Sequence, residues 1–130
     1  MLLVLVIFLI LALAGCGAFP PDGDPDWNDE KAIKELINYY WSSISVACYD
    51  LAKIYCIPDG DAYNVVEEYE DSNYSNLEFI INYNWIKIIG DEAIVSIDLI
   101  VIKSNESEVV CDYIIYLTKN SSITVNWILK

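Results

Sequence analysis

Leu77-Glu78-Phe79-Ile80-Ile81-Asn82-Tyr83-Asn84-Trp85 places a large apolar side chain at every odd-numbered position and a polar one at most even positions. A period of two is typical of a β-strand with one buried face. The alternation resumes after Gly90-Asp91 and in two further segments, which polar turns at 104–107 and 119–122 separate. Four strands joined by short turns predict an antiparallel meander. The residues predicted to face the core are Leu77, Phe79, Ile81, Tyr83, Trp85, Ala93, Val95, Ile97, Leu99, Val101, Val109, Cys111, Tyr113, Ile115, Leu117, Ile123, Val125, Trp127 and Leu129.

Three amphipathic helices are predicted before these strands. Asn28 can cap the first, and Ser42, Ser43 and Ser45 are expected to bend or interrupt it. A second helical piece follows over 46–56, and Asp61 caps a third over 62–70. Helices and sheet each have an apolar face to bury, which predicts an α+β domain with N-terminal helices packed on a curved four-stranded meander, cone-like in shape. The apolar stripe of the first helix is Ile33, Leu36, Ile37, Tyr40, Trp41 and Ile44.

The N-terminal segment has the form of a lipoprotein signal. An apolar run ends in Leu13-Ala14-Gly15-Cys16, with small residues before a thiol that can accept diacylglycerol. We therefore predict a signal peptide at 1–15, a lipidated Cys16 with a flexible spacer at 16–26, and one domain at 27–130. The protein would then be a membrane lipoprotein on the extracytoplasmic face. An uncleaved anchor helix and a buried N-terminal helix remain as alternatives, and no Lys or Arg precedes the run.

Charge and composition exclude several classes of function. The chain carries a formal charge of −13 and contains no His. A nucleic-acid partner is not expected, because polyanion binding needs clustered Lys and Arg. Catalysis by His and zinc sites with His ligands are unavailable. Asp22, Asp24 and Asp26 imitate the start of a calcium loop, but its Gly and final Glu are missing. No metal and no cofactor are predicted.

Cysteines and glycosylation signals complete the inventory of modifiable residues. Beyond Cys16 the thiols are three in number, so at most one disulfide bond is expected. Cys56 to Cys111 is preferred slightly over Cys48 to Cys111, and three buried free thiols are the alternative. N-glycosylation patterns begin at Asn73, Asn105 and Asn120, all in predicted loops.

The order of elements, with Gly90-Asp91-Glu92-Ala93-Ile94-Val95 in the first hairpin and Trp127-Ile128 in the last strand, resembles the lipid-anchored members of the nuclear transport factor 2-like superfamily. The fold is shared with ketosteroid isomerase and polyketide cyclases. The resemblance implies a pocket between helices and sheet, dimerisation through the sheet, and activities that range from isomerase or dehydratase to none. The residues that we predict to line or plug such a pocket are Tyr40, Trp41, Phe79, Tyr83, Trp85, Tyr113 and Trp127.

Two functions follow as hypotheses. The first is a non-catalytic binding or assembly module for a protein or an apolar ligand. The second is a small isomerase or lyase that uses an Asp and Tyr pocket. Strand parity puts Asp98 and Asp112 on the outer face, so we predict no catalytic residue.

The even-numbered face is also rich in apolar residues, which predicts a homodimer through the sheet or a partner in the cell envelope. Its predicted apolar members are Ile80, Ile86, Ile88, Ile94, Ile100, Ile102, Val110, Ile114, Tyr116 and Ile128.

Overall fold

A computed structural model of the chain describes residues 25–72, 76–104, 106–120 and 127–130. Three helices precede a four-stranded antiparallel sheet of order β1-β2-β3-β4, which confirms the predicted α+β meander. The predicted signal peptide, Cys16, Asn73 and Asn105 lie outside the described residues. The elements are α1 Pro25–Ser45, α2 Tyr49–Ile54, α3 Asp61–Ser72, β1 Leu77–Ile89, β2 Glu92–Lys103, β3 Glu106–Lys119 and β4 Trp127–Leu129.

Helix α1 is longer at its N-terminal end than the sequence pattern predicted, and it ends at Ser45, just before the predicted start of the second helix. It begins at Pro25, inside the predicted spacer, rather than after Asn28; proline suits the first helical position because its missing N–H would have no partner there. The helix runs through Ser42 and Ser43 and ends at Ser45, the last of the three serines predicted to bend or interrupt it. Ser43 Oγ donates to the Tyr39 carbonyl oxygen at 2.7 Å, so its hydroxyl is satisfied inside the helix.

The chain reverses over 46–48, so the second helix is shorter than the predicted 46–56. Ala47 has a φ of 59°, and its N–H donates to the Ile44 carbonyl at 3.0 Å. Cys48 N–H donates to the Ser43 carbonyl at 2.8 Å. This pair of bonds around a left-handed residue is a Schellman motif, which ends α1 firmly. A side-chain bond from Ser45 Oγ to the Leu77 carbonyl, at 2.8 Å, then joins the end of α1 to the start of β1.

Helix α3 is held at its first turn by two separate parts of the chain. The Tyr40 hydroxyl of α1 donates to the Ala62 carbonyl at 2.7 Å, and Ala62 N–H donates to the Lys130 carbonyl at 3.0 Å. Gly60 lets the chain approach the C-terminus, since a Cβ there would meet the Lys130 carbonyl carbon at 3.0 Å. The position of α3 over the sheet is therefore set at its N-terminal end.

A bulge in β1 reverses the predicted side-chain parity of the second half of that strand. Tyr83 pairs with Ile97 and Trp85 pairs with Ser96, so Asn84 is an extra residue in the ladder. Beyond it, even-numbered residues turn inward, and Ile86 and Ile88 pack against the core instead of the outer face. The prediction that Trp85 faces the pocket is wrong: Trp85 is 48% exposed on the outer face.

A second bulge does the same in β3. Ile97 pairs with Tyr113 and Leu99 with Val110, so two β3 residues lie opposite one residue of β2. Before the bulge the parity is the reverse of the prediction: Val110 faces inward and packs against the core, while Val109 is exposed.

The core between the helices and the inner face otherwise follows the sequence pattern. The α1 stripe and the odd positions of β2 from Ala93 to Val101 are buried, as predicted. The buried apolar residues are Ile33, Leu36, Ile37, Tyr40, Trp41, Ile44, Ala52, Cys56, Val66, Leu77, Ala93, Val95, Ile97, Leu99, Val101, Ile115, Leu117, Trp127 and Leu129.

Candidate functional site between the third helix and the sheet

A cavity of about 330 Å³ lies between α3 and the inner face of β2 and β3. Its volume is at the lower end of the range of small-molecule sites. The lining combines buried aliphatic and aromatic walls with a few charged side chains. The lining residues are Trp41, Val65, Glu68, Tyr69, Ser72, Leu99, Val101, Lys103, Glu108, Val110 and Tyr113.

An aromatic cluster centred on Trp41 forms one side of this cavity. The centroid of the Trp41 ring lies 6.4 Å from that of Tyr69 and 6.0 Å from that of Tyr113, both edge-on. Phe79 supports the cluster from behind, 4.9 Å from Trp41 and 5.7 Å from Tyr69. Edge-to-face contacts hold aromatic rings in fixed orientations, so the cavity has a rigid wall.

The indole N–H of Trp41 has no hydrogen-bond acceptor among the described residues. Trp41 is only 2% exposed, and a buried indole N–H normally finds a partner. A donor left unpaired in the interior costs about 1–3 kcal/mol. The accessible surface of this nitrogen is below 1 Å², so a molecule in the cavity does not reach it, and the unpaired donor is a cost of the aromatic core.

Two carboxylates, Glu68 on α3 and Glu108 on β3, face the cavity from opposite sides. Glu108 is paired across the ladder with the buried Val101, which places it on the inner face of the sheet. Neither carboxylate forms an ion pair with another described residue. Lys103 also lines the cavity and is engaged in an interaction of its own. The ion pairs of the described chain are Lys34 with Glu30, Lys53 with Glu70, Lys119 with Asp29, and Lys130 with Glu92.

A smaller cavity of about 70 Å³ adjoins the first and shares Trp41 and Tyr113 with it. Tyr40 and Asp61 line it as well. Burial raises the pKa of Tyr113, and the nearby carboxylates of Asp61 and Glu68 raise it further. Burial also raises the pKa of Tyr40 far above its ordinary value. Both phenols therefore stay protonated at neutral pH, as hydrogen-bond donors rather than bases.

Two further hollows are surface grooves. One runs beside α1 and β1, and apart from Trp41 none of its lining residues is buried. The other lies over the α1–α2 reversal, where five of its six lining residues are exposed, including Cys48 and Glu70. A groove without buried walls cannot remove a ligand from water, so the cavity beneath α3 is the candidate site.

The structure brings together three of the predicted pocket residues, Tyr40, Trp41 and Tyr113, while Phe79 packs behind them. Tyr83 is engaged elsewhere, since its hydroxyl donates to the Lys34 carbonyl at 3.0 Å. Trp127 does not line either cavity.

The Trp127 indole donates a hydrogen bond to Asp29 Oδ1 at 3.1 Å, and the Lys119 ammonium lies over its ring.

Sequence reasoning missed Glu68, Tyr69 and Glu108. The first two lie on the helical stripe that includes Val65 and could have been found from it; Glu108 could not, because only the β3 bulge turns it inward.

Asp98 and Asp112 lie away from the cavity, on the outer face, as predicted. Asp98 accepts a bond from the Asn84 side-chain amide at 2.9 Å and one from the Asp112 N–H at 3.0 Å. These two hydrogen bonds hold the pKa of Asp98 below its usual value. The carboxylate that sequence reasoning considered for catalysis is therefore a structural acceptor between the two bulges.

The predicted bridge between Cys56 and Cys111 is absent, and both thiols are free, as is that of Cys48. Cys56 is buried, with its thiol 3.3 Å from the Ala52 carbonyl, whereas Cys111 is exposed at the β3 bulge. Burial raises the pKa of Cys56 to about 12. Of the predicted glycosylation sites, Asn120 is described, half-buried and engaged in an interaction.

Within the described ranges, no three Cys, Asp or Glu side chains are grouped so that they could hold a metal ion. None of the helices in the same residues has the length and apolar character that a membrane span requires.

The fold is that of an NTF2-like protein. The chain superimposes with a TM-score of 0.60 on a protein of the NTF2-like family from Streptomyces avermitilis, for which a dehydratase activity has been proposed. The match covers 81% of this chain and 93% of that one at 12% sequence identity, so it concerns the fold alone. No family model matches the sequence, and no curated protein is similar to it.

Proposed function

We propose that this protein is a lipid-anchored, extracytoplasmic binding module that holds an apolar ligand, without chemical conversion, in the cavity beneath α3. The observation that carries the proposal is the cavity itself, with about 330 Å³ of space against a rigid aromatic wall. Leu99 and Val101 supply a buried aliphatic floor. At about 25 cal/mol per Å² of apolar surface removed from water, such walls favour a mainly apolar guest.

Absence of catalysis is proposed because the polar groups are poorly placed for proton transfer. Glu68 and Glu108 are exposed carboxylates, whereas a general base is usually held where water is excluded. The Tyr40 hydroxyl already donates its proton to Ala62.

One arrangement favours the alternative, a small isomerase or lyase. Asp61 lies beside Tyr113 and Tyr40 at the smaller cavity. Its volume of about 70 Å³ leaves room for little more than water, which is why we place binding before catalysis.

Native mass spectrometry of the protein extracted from its own membranes tests the binding proposal. We expect one small apolar molecule retained per chain. Val110→Phe should fill the cavity and abolish retention, whereas Val109→Phe, one residue away on the outer face, should not. Equal retention by both variants would place the ligand elsewhere.

The anchor is tested separately with Cys16→Ser. We expect the variant to keep residues 1–15 and to lose the mass of the lipid. A variant that is processed normally would contradict the lipoprotein assignment.

The proposed partner at the outer face of the sheet is a second copy of the chain. Two apolar patches flank a polar stripe there. Ile80, Ile100 and Val109 form one row, and Trp85, Ile94, Ile114 and Tyr116 lie beyond the stripe of Asn84, Asp98 and Asp112.

A two-fold axis across the strands at this stripe would lay each apolar patch on the other. It would also bring the Glu78 end of β1 over the Lys87 end of β1 in the second copy. We expect Lys87→Glu to weaken a dimer seen by sedimentation of residues 25–130, and Glu78→Lys in the same chain to restore it. A monomer at about 100 μM would instead indicate a different envelope protein as the partner.

A further inference from the structure

We propose that exposed apolar side chains at the junction of α1 and α2 lie against the phospholipid bilayer to which the chain is tethered. The domain would then contact the membrane through a protein surface as well as through its lipid. The inference rests on the proposed lipid anchor and adds this second contact. The surface, called the α1–α2 patch below, consists of Tyr39, Val46, Leu51, Ile54 and Tyr55.

The first argument is that the patch is apolar and exposed to water. Val46 is 68% exposed and Ile54 63%, and Tyr39 and Leu51 are exposed as well. The ring of Tyr55 stacks on that of Tyr39 with 6.4 Å between the centroids, so the patch continues from α2 onto α1. A cluster of exposed apolar side chains is typical of a contact surface.

The second argument is that α2 has two apolar faces. At about 100° per residue, Leu51, Ile54 and Tyr55 lie within about one third of the circumference of the helix. Ala52 and Cys56 lie on the opposite side and are buried. An ordinary surface helix buries one apolar face and presents polar side chains to water. Here the side that faces away from the core is apolar too, as in a helix that lies on a membrane.

The third argument concerns charge. The segment 39–58 contains one acidic and one basic residue, Asp50 and Lys53, in a chain with a formal charge of −13. Lys53 turns toward α3, where its ammonium forms an ion pair with Glu70 at 2.8 Å. Asp50 and Glu70 line the same hollow beside the reversal. The patch itself is uncharged, so it can enter the headgroup layer of a bilayer without removing a charge from water.

The tether identifies the partner of the patch. Pro25, the first residue of α1, follows Cys16 by nine residues, which span at most about 30 Å when fully extended. Tyr39 lies fourteen residues further, or about 21 Å along the axis of α1. Rotation of the domain about its tether therefore brings the patch to the lipid surface.

Tethering also compensates for the small size of the patch. A short linker gives the attached domain an effective concentration on the order of millimolar at the bilayer, so a weak contact is populated. A protein partner free in solution has no such advantage. Tyrosine and aliphatic side chains are also those that phospholipid interfaces accept most readily.

Two exposed thiols on different parts of the domain can report which surface meets the membrane. Cys48 lies in the reversal beside the patch, and Cys111 lies at the β3 bulge. Cys111→Ser and Cys48→Ser each leave one exposed thiol for an environment-sensitive fluorophore. The lipidated full chain, verified by intact mass, is placed in phosphatidylcholine vesicles with a spin-label quencher near the headgroups. We expect strong quenching at Cys48 and little at Cys111.

Ile54→Asn and Ile89→Asn form a matched pair, because both isoleucines are 63% exposed and only the first belongs to the patch. Ile54→Asn should lower the ratio of docked to undocked chains about tenfold, since a large aliphatic side chain no longer leaves water on docking. Ile89→Asn should leave the ratio unchanged. Both positions are on the surface, so neither change should disturb the fold.

Equal quenching at the two thiols would show that no surface of the domain prefers the bilayer, which overturns the inference and leaves the anchor standing. Equal effects of the two Asn variants would overturn it as well. A chain that lacks the mass of the lipid would refute the anchor and, with it, docking by a tethered domain.

Discussion

Tyr40→Phe removes a single hydroxyl from the contact that positions α3, and its consequence can be worked out from the structure. The hydroxyl donates to the Ala62 carbonyl at 2.7 Å, and the side chain is only 3% exposed. The ring remains in the variant, so no large cavity is created. Loss of a buried hydrogen bond of this kind lowers the free energy of unfolding by about 1 kcal/mol. For a domain of this size the unfolding midpoint should fall by about 5 °C.

The effect should be local as well as global, because the bond joins α1 to the first turn of the helix that roofs the cavity. We expect amide hydrogen exchange in α3 to accelerate by about fivefold, while exchange in the β2 core follows the global change only. Urea unfolding gives the global change, and exchange mass spectrometry gives the local one.

Tyr116→Phe is the matched control. The Tyr116 side chain lies on the outer face of the sheet and is 50% exposed. Removal of its hydroxyl should therefore change the free energy of unfolding by less than about 0.5 kcal/mol. A Tyr40→Phe variant as stable as this control, with unchanged exchange in α3, would show that the Tyr40 bond does not hold the helix in place.

Three further predictions concern other parts of the chain. Burial raises the pKa of Tyr83 above its ordinary value of 10.0, so the unfolded state loses this proton first and stability should fall as pH rises above about 10; Tyr83→Phe should flatten that fall in urea titrations. The raised pKa of the buried Cys56 thiol should leave it largely unalkylated while the exposed Cys48 and Cys111 react, as peptide mass mapping would show, and equal rates would contradict the burial. Ala47→Gly should raise the free energy of unfolding by about 1 kcal/mol, because Ala47 holds a φ of 59° that glycine adopts without strain; an unchanged urea midpoint would count against the Schellman motif.

The sequence predicted the fold class because its signals were local and repeated. The apolar stripe of α1 follows a period of 3.6, and every one of its predicted members is buried. The period of two over β2 was equally reliable, since that strand is central and paired on both sides without an extra residue of its own. Where one hydrophobic period persists through a whole helix or strand, intrinsic propensity and side-chain burial predict the same secondary structure.

The two bulges could not be predicted from the sequence, because both faces of the sheet are rich in apolar residues. Ile88 and Ile89 are chemically identical, so inserting one residue at Asn84 exchanges their faces without burying a charge. Val109 and Val110 are related in the same way across the β3 bulge. A strand whose two faces differ in polarity fixes its register by burial, and one with two apolar faces does not. The misplacement of Trp85 in the predicted pocket follows from this ambiguity.

The same bulges account for the chemistry of both faces. By reversing parity before residue 111, the β3 bulge turns Glu108 toward the cavity and Val109 outward, so one extra residue supplies a carboxylate to the site and an apolar side chain to the outer face. Its Asp112 N–H also donates to Asp98, which ties the bulge to β2. In a regular ladder of the same chain length, Cys111 would lie opposite Leu99, which would turn Glu108 outward and Val109 inward together; deletion of Cys111 would instead keep Glu108 opposite Val101. The lining of the cavity and the apolar outer face of the sheet are therefore physically coupled through one backbone irregularity.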